Sequence, residues 1–244
     1  MINIVIPMAG AGSRFAKEGY QQPKPFIDIE GRMMIEHVLD GLQYDDAQYT
    51  LIIQERFLLE NKESLEKIQR NYNVQWVYVK GLTAGATCSA LASYKWINND
   101  RPVVFADSDN IFNAGVVQAF IDDAFLRQLD GSLLTFQTNE ACFSFAKINE
   151  RQRVVATAEK KPISTHAIAG VYFFKKGVEF VEQAINMMIY NDKQQGEFYL
   201  SNVYNWLIKN NQHCQVGIFN IASSDWHCVG TPQQLERYLN SNRG

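Results

Sequence analysis

Hydrophobic residues in the first hundred positions form short apolar runs, and longer amphipathic stretches separate these runs. Each run has the length and the apolar character of a buried strand. The predicted strands are 2–6, 50–53, 74–79 and 102–106. Apolar residues between them recur at helical spacing, which predicts helices at about 33–43, 56–72 and 86–98. Strands that alternate with helices predict a parallel sheet of right-handed βαβ units, whose ligands bind where the strands end.

The hydrophobic pattern changes after residue 131, where strand-like segments follow one another without helices between them. These segments are 132–138, 142–148, 153–159 and 168–174. Consecutive strands predict an antiparallel extension of the sheet. Helical spacing returns at about 177–190, 199–209 and 232–240. Because no linker or internal repeat interrupts the chain, we expect one α/β domain over 1–244, with a mixed, mainly parallel sheet flanked by helices.

The composition excludes several classes of protein. The 244 residues include 23 Lys and Arg against 26 Asp and Glu, a formal net charge of −3. This balance argues against a nucleic-acid partner or a polybasic membrane surface, and 46% hydrophobic residues exclude a disordered chain. The N-terminus lacks the basic region of a signal peptide, and no apolar run approaches the ~18 residues of a membrane helix. We therefore expect a cytoplasmic protein without a membrane segment.

The four cysteines lie far apart in the sequence and include no CxxC pair. They are Cys88, Cys142, Cys214 and Cys228. Their apolar or helical surroundings predict buried free thiols in a reducing compartment. The histidines show no spacing typical of zinc ligands, so a zinc site is not expected.

A glycine-rich loop follows the first predicted strand directly. It reads Met8-Ala9-Gly10-Ala11-Gly12-Ser13-Arg14-Phe15, and Pro23-Lys24-Pro25 comes after it. Glycines allow backbone N–H groups to contact phosphate oxygens. The loop lacks the GxxxxGK[ST] pattern of a P-loop, and a dinucleotide-binding loop is disfavoured because Phe15 replaces its third glycine. Arg14 and Lys24 would place two cations beside one phosphate site.

Two other segments have the chemistry of a nucleotide site. Asp107-Ser108-Asp109 ends the fourth predicted strand, where carboxylates suit Mg²⁺ bound together with phosphates. The alternative is a carboxylate that caps a following helix. The small residues Ala84-Gly85-Ala86-Thr87 would let a flat base lie against the backbone. A plain helix start capped by Thr87 is the alternative for this segment.

The glycine-rich loop and the Pro23-Lys24-Pro25 segment together resemble the sugar-phosphate nucleotidylyltransferases. The signature of that family is GxG[ST]R[FL] with a PK pair farther along the chain, and both parts are present here. The resemblance covers nearly the whole chain. It implies a single-domain, Rossmann-like fold of the nucleotide-diphospho-sugar transferase type, with a nucleotide-binding half in 1–130 and an acceptor-binding half in 131–244.

The resemblance also implies roles for individual residues of the first half. Arg14 and Lys24 would be the catalytic cations that contact the phosphates. Asp109 would be a metal ligand in preference to Asp107. The nucleotide would be bound by Met8, Ala9, Gly10, Ala11, Gly12, Ser13, Ala84, Gly85, Ala86 and Thr87.

The second half carries segments that resemble the acceptor site of the same family. Glu159-Lys160-Lys161-Pro162 resembles an EKP motif, which implies that Glu159 meets acceptor hydroxyls and Lys160 the acceptor phosphate. A solvated charge cluster is the alternative. The following strand contains Gly170, and a later acidic-aromatic segment contains Glu197 and Tyr199. These five residues form the implied acceptor site.

The tail departs from the family pattern at a metal ligand. Residues 224–232 resemble the family segment W-x-D-x-G-T-P, whose Asp supplies a second magnesium ligand. Cys228 stands at the position of that Asp. Asp225, three residues earlier, is the candidate to replace it. The expected cofactor is Mg²⁺, held by Asp109, Asp107 and Asp225.

The function that the resemblance implies is transfer of a nucleoside monophosphate from an NTP to a phosphorylated acceptor, with release of pyrophosphate. CTP is slightly favoured because the chain is similar in length to small cytidylyltransferases. The acceptor would be a sugar-1-phosphate or a small compound such as phosphocholine, with Tyr172, Trp226 and Tyr199 as an aromatic wall. We expect a role in surface polysaccharide or related glycan biosynthesis, in a monomer or homodimer.

Two other functions stay open at this point. Asp107-Ser108-Asp109 also satisfies the DxD metal motif of a glycosyltransferase that uses a nucleotide sugar. Such an enzyme would not need the glycine loop with Arg14 and Lys24. The substitution at Cys228 allows a catalytically silent, nucleotide-binding regulatory homologue, against which the retained cations argue.

Overall fold

The structure, a computed structural model, describes residues 1–241. The strands in this range are β1 (Ile2–Pro7), β2 (Asp28–Ile29), β3 (Arg32–Met33), β4 (Ala47–Gln54), β5 (Val74–Val79), β6 (Val103–Ala106), β7 (Asn110–Phe112), β8 (Gly131–Gln137), β9 (Ser144–Ile148), β10 (Val154–Glu159), β11 (His166–Phe174), β12 (Val216–Asn220) and β13 (Trp226–Cys228). The α-helices are α1 (Ser13–Lys17), α2 (Met34–Gly41), α3 (Phe57–Glu60), α4 (Lys62–Asn71), α5 (Ala86–Leu91), α6 (Tyr94–Ile97), α7 (Val116–Leu126), α8 (Gly177–Ile189), α9 (Leu200–Asn210) and α10 (Pro232–Ser241). Short 3₁₀ helices cover Lys24–Phe26 and Ser223–Asp225.

In the described part of the chain, the central sheet has nine strands: seven follow the order β10-β9-β11-β6-β1-β4-β5, and β8 joins β11 to β12. The four strands β6, β1, β4 and β5 are parallel to one another. Strand β11 is antiparallel to β6, and β8, β9 and β10 continue the antiparallel pairing. The parallel first half and the antiparallel extension that the sequence predicted are therefore confirmed.

Both faces of the parallel strands are buried, because successive residues belong to separate hydrophobic clusters. Ile4 and Ile6 of β1 lie in one cluster, and Val5 lies in the other. Side chains alternate across a strand, so a continuous apolar run serves a sheet that is covered by helices on both sides. No helix within 1–241 has the length and apolar character needed to cross a bilayer.

The structure corrects the sequence prediction at several elements. The predicted helix 56–72 is divided into α3 and α4 at Asn61, whose φ of −133° is not helical. The predicted helix 86–98 is likewise divided into α5 and α6. Helix α7 and the strands β7, β12 and β13 were not predicted, and the strands have only three to five residues.

The cysteines are free, as predicted, but they are not all buried. Cys142 is exposed, and the other three are only partly buried. The exposed position lies in the loop between β8 and β9, which the sequence assigned to a strand. The prediction of buried thiols was therefore wrong for Cys142.

Tyr204 links α9 to the central sheet. Its fully buried hydroxyl lies 2.8 Å from the carbonyl oxygen of Phe173 and 3.1 Å from that of Ser132. These two residues are paired across β11 and β8. The hydroxyl therefore ties the helix to two neighbouring strands.

We predict that Tyr204→Phe lowers the free energy of unfolding by about 1–2 kcal/mol, because a buried hydrogen-bond donor is lost. Tyr190→Phe is the matched control, since Tyr190 is 71% exposed. Urea denaturation of both variants measures the effect. Equal stabilities for the two variants would show that the Tyr204 hydroxyl does not hold the helix to the sheet.

Candidate active site

The glycine loop connects β1 to α1 and is held by a buried glutamine. Gln54 ends the neighbouring strand β4 and is 4% exposed. Its Nε2 donates a hydrogen bond of 2.8 Å to the carbonyl oxygen of Ala9. Gly12 has a φ of +60° at the start of α1, which a residue without a Cβ adopts most readily. Gln54 belongs to no sequence motif. A polar residue at the end of an apolar strand is nevertheless a signal that could have identified it from sequence.

Lys24 and Asp109 form an ion pair between the loop and the end of the fourth parallel strand. The Nζ of Lys24 lies 2.5 Å from Oδ2 of Asp109, and the two side chains are 21% and 20% exposed. Lys24 begins the 3₁₀ helix Lys24–Phe26 directly after Pro23. Asp109 precedes the strand β7 and not a helix. The alternative of a helix-capping aspartate is therefore wrong for Asp109.

Asp107 lies beside Asp109 and packs against the backbone of β11. Its N–H donates a hydrogen bond of 2.8 Å to the carbonyl oxygen of Gly170. A Cβ at Gly170, which has a φ of +74°, would lie 2.5 Å from Oδ2 of Asp107. Loss of hydration, with the nearby charge of Asp109, raises the pKa of Asp107. Gly170 thus makes room for a carboxyl group whose environment disfavours charge.

Cys228, and not Asp225, lies next to Asp109. Strand β13 is antiparallel to β7 and pairs Cys228 with Asn110, and the N–H of Val229 donates to the carbonyl oxygen of Asp109. Asp225 is three residues earlier, roughly 10 Å along an extended strand. Its Oδ2 accepts a hydrogen bond from the N–H of Ala222. The structure does not bring Asp225 to the other two aspartates.

Glu159 and Lys160 lie where β10 ends and face α9. Glu159 is buried and accepts hydrogen bonds from the hydroxyls of Ser144 and Ser201. Burial raises the pKa of Glu159. The exposed Lys160 donates a hydrogen bond of 3.1 Å to the hydroxyl of Tyr199. This ordered arrangement disfavours a loose, solvated cluster of charges.

The segment 84–87 is joined by backbone hydrogen bonds to the segment that contains Glu197 and Tyr199. The N–H of Phe198 donates to Ala84, and the N–H of Thr87 donates to Phe198. Gly85 has a φ of +133°, and a Cβ there would lie 2.5 Å from the carbonyl oxygen of Phe198. Gly85 precedes α5, and the buried Thr87 lies within the helix. The alternative that Thr87 caps this helix is therefore wrong.

A cleft of about 390 Å³ is lined by candidates of the first half and by one candidate of the second half, Glu197. Among the site candidates, its lining consists of Met8, Gly10, Ala11, Gly12, Ser13, Arg14, Lys24, Asp107, Asp109 and Glu197. Gly230 also lines the cleft, and a Cβ there would overlap Oδ2 of Asp109. Within the described residues, the candidates outside this lining are Ala9, Ala84, Gly85, Ala86, Thr87, Glu159, Lys160, Gly170, Tyr199 and Asp225.

The proposed aromatic wall is not assembled. Trp226 is buried against Phe136, with ring centroids 4.6 Å apart. Tyr172 is buried in the other hydrophobic cluster, and the ring of Tyr199 is covered by the Lys160 ammonium at 5.2 Å. The expectation of one aromatic surface formed by these three residues was wrong, because they belong to different packing layers.

We predict that Gly85→Ala lowers the free energy of unfolding by at least about 2 kcal/mol, since the conformation is unfavourable for a residue with a Cβ and the methyl group meets backbone. Gly81→Ala is the matched control, because a Cβ at Gly81 has no neighbour within 4 Å. Urea denaturation compares the two variants. A Gly85→Ala protein as stable as Gly81→Ala would contradict the close contact with Phe198.

Comparison with solved structures shows the same fold in several proteins. A nucleoside-diphosphate-sugar pyrophosphorylase from Vibrio cholerae RC9 is 24% identical, with a TM-score of 0.85 over 97% of this chain and 99% of that chain. A protein assigned as a glucose-1-phosphate thymidylyltransferase from Bacillus anthracis is 19% identical, with a TM-score of 0.78 over 100% and 96%. The inositol-1-phosphate CTP transferase from T. maritima is 15% identical, with a TM-score of 0.76 over 98% and 93%.

Sequence comparison gives the family. No curated protein sequence matches this chain significantly. The family model described as nucleotidyl transferase matches residues 4–242, which is nearly the whole chain. The match spans the glycine loop, the aspartates after β6 and the segments that contain Glu159 and Glu197. The chain therefore belongs to the nucleotidyl transferase family.

Proposed function

We propose that the protein is a nucleotidylyltransferase that joins an NTP and a sugar-1-phosphate and releases pyrophosphate. The observation that carries this proposal is the Lys24–Asp109 ion pair in a cleft that is also lined by the glycine loop and by Glu197. A cation, a carboxylate and backbone N–H groups that converge in one cleft suit the transfer of a phosphoryl group. Glu197 brings the acceptor half of the chain to the same cleft.

The reaction that fits this cleft is a direct in-line displacement. An acceptor phosphate oxygen attacks the α-phosphorus, a new P–O bond forms, and the bond to the bridging oxygen breaks. The electron pair of that bond leaves with pyrophosphate. The backbone of the glycine loop holds the phosphates, and Arg14 and Lys24 neutralise the charge that develops in the transition state. Since no covalent enzyme intermediate forms, no nucleophilic side chain is needed.

The residues at the end of β6 fit a magnesium ion that is shared with the nucleotide. Among residues 1–241, no group of three or more His, Cys, Asp or Glu side chains could hold a metal by protein ligands alone. Mg²⁺ commonly binds through one or two carboxylates together with substrate phosphates. Asp109 and Asp107 would supply these carboxylates. Asp225 would not be a ligand, because the structure does not bring it to the other two aspartates. When bound, the ion would polarise the α-phosphoryl group.

A sugar phosphate suits the acceptor side better than phosphocholine does. Quaternary ammonium groups are recognised by aromatic side chains that face one point, and Tyr172, Trp226 and Tyr199 do not form such a cage. Glu159 accepts hydrogen bonds from two serine hydroxyls, which is the chemistry that also recognises sugar hydroxyls. A role for the product in glycan biosynthesis stays a prediction from this substrate class.

The decisive experiment is a screen of the purified protein for pyrophosphate release. Four NTPs, with CTP as the favoured one, are each combined with sugar-1-phosphates and with phosphocholine. Pyrophosphate release that requires a sugar-1-phosphate supports the proposal. Hydrolysis or transfer from a nucleotide sugar without pyrophosphate would favour the DxD glycosyltransferase instead. Metal-dependent NTP binding without turnover would favour the silent regulatory homologue that Cys228 allows.

We predict that Lys24→Ala and Asp109→Asn each lower kcat by about 100-fold or more, because Lys24 would neutralise charge in the transition state and Asp109 would hold the Mg²⁺ that polarises the α-phosphoryl group. Asp225→Asn is the matched control and should keep the wild-type kcat. Steady-state pyrophosphate release measures all three variants, and circular dichroism verifies their folding. A loss of activity in Asp225→Asn, with wild-type activity in the other two variants, would show that Asp225 and not Asp109 holds the metal.

We predict that Lys160→Ala raises the KM for the acceptor about tenfold or more, because a charge-assisted hydrogen bond to its phosphate is lost. The KM for the NTP should not change. The adjacent exposed Lys161→Ala variant controls for the loss of one positive charge. If both lysine variants shift the acceptor KM equally, Lys160 has no specific contact with the acceptor.

A further inference from the structure

A second cavity also lies against the glycine loop. Its volume is about 340 Å³, and it shares Gly10, Ala11, Gly12 and Lys24 with the cleft described above. The rest of its lining comes from Ala16 of α1, from residues 20–23 after that helix, and from Arg56, Phe57, Glu60 and Asn61, which follow β4. The two cavities therefore share part of the glycine loop, and the rest of the second cavity is built from different elements.

The two cavities differ in which half of the chain lines them. Asp107, Glu197 and Gly230 line the first cleft only, and every residue that lines the second cavity precedes residue 62. In the proposed reaction, the acceptor would therefore approach the glycine loop from the first cleft.

The stereochemistry of an in-line displacement then indicates which group the second cavity would receive. The attacking oxygen and the leaving oxygen lie on opposite sides of the phosphorus. If the acceptor phosphate attacks from the first cleft, the pyrophosphate group points towards the second cavity. This assignment rests on the function proposed above.

Arg56 is the side chain in the second cavity that suits a diphosphate. It is exposed, and its guanidinium lies 5.1 Å from the centre of the Phe57 ring. Among residues 1–241, the guanidinium has no carboxylate within ion-pair distance. Lys24, the other cation in the lining, is already paired with Asp109. An unpaired guanidinium can bind two phosphate oxygens at once.

We propose that Arg56 binds the β- and γ-phosphates of the NTP and the pyrophosphate that leaves. Arg14 lines the first cleft and Arg56 the second cavity, so the two arginines would contact different parts of the polyphosphate. Glu60 also lines the second cavity and is exposed. Its negative charge repels a diphosphate. Removal of this charge should therefore strengthen pyrophosphate binding, whereas removal of the Arg56 charge should weaken it.

The experiment measures the affinity of the protein for inorganic pyrophosphate by calorimetry, together with the KM for the acceptor. Arg56→Ala should weaken pyrophosphate binding about tenfold to a hundredfold, as expected for a lost charge-assisted hydrogen bond. Arg56→Lys should recover part of the affinity, and the acceptor KM should stay unchanged. Glu60→Gln should strengthen pyrophosphate binding roughly two- to fivefold.

Lys62→Ala is the control, because Lys62 is an exposed neighbour that does not line the cavity and is paired with Glu66. Equal pyrophosphate affinities for Arg56→Ala and Lys62→Ala would overturn the assignment of Arg56. An Arg56→Ala effect on the acceptor KM alone would also overturn it. If the wild-type protein turns over substrates and only the Arg56 result fails, the proposed function stands. If the wild-type protein neither binds nor releases pyrophosphate, both proposals fail.

Discussion

The ion pair between Lys24 and Asp109 depends on the parallel pairing of β1 with β6. Asn3, Ile4 and Val5 are in register with Val103, Val104 and Phe105, so the chain leaves both strands at the same edge of the sheet. The glycine loop and the two aspartates must therefore meet there. A partly buried ion pair contributes little net stability, because dehydration of the charges offsets their attraction. The ion pair instead places two opposite charges where phosphates would bind.

Glycines in this site lack the Cβ that would collide with these charged side chains or with nearby backbone. A Cβ at Gly230 would overlap the carboxylate of Asp109, and one at Gly170 would press on Asp107. Gly85 has the same relation to the backbone of Phe198. Each of the three positions brings together elements that are distant in sequence. The site thus depends on close approaches of backbone as much as on the charged residues.

Much of this arrangement could be predicted from sequence, because apolar runs determine the parallel strands and the glycine loop follows the first of them. The position of Asp225 could not be predicted, because Asp225 ends the 3₁₀ helix before β13 and Cys228, three residues later, is the residue beside Asp109. The break at Asn61 depends on tertiary packing and has no Gly or Pro signal. Gln54 and Arg56 belong to no motif, and only the pairing of β1 with β4 brings them to the loop.

The proposed reaction is a single in-line displacement at the α-phosphorus. Its most direct test is the stereochemical course of the reaction. An α-thiotriphosphate of known configuration is converted with the sugar-1-phosphate, and phosphorus NMR gives the configuration of the product. Inversion is expected, because the proposed reaction has one displacement. Retention would contradict it, because retention requires a covalent enzyme intermediate and two displacements.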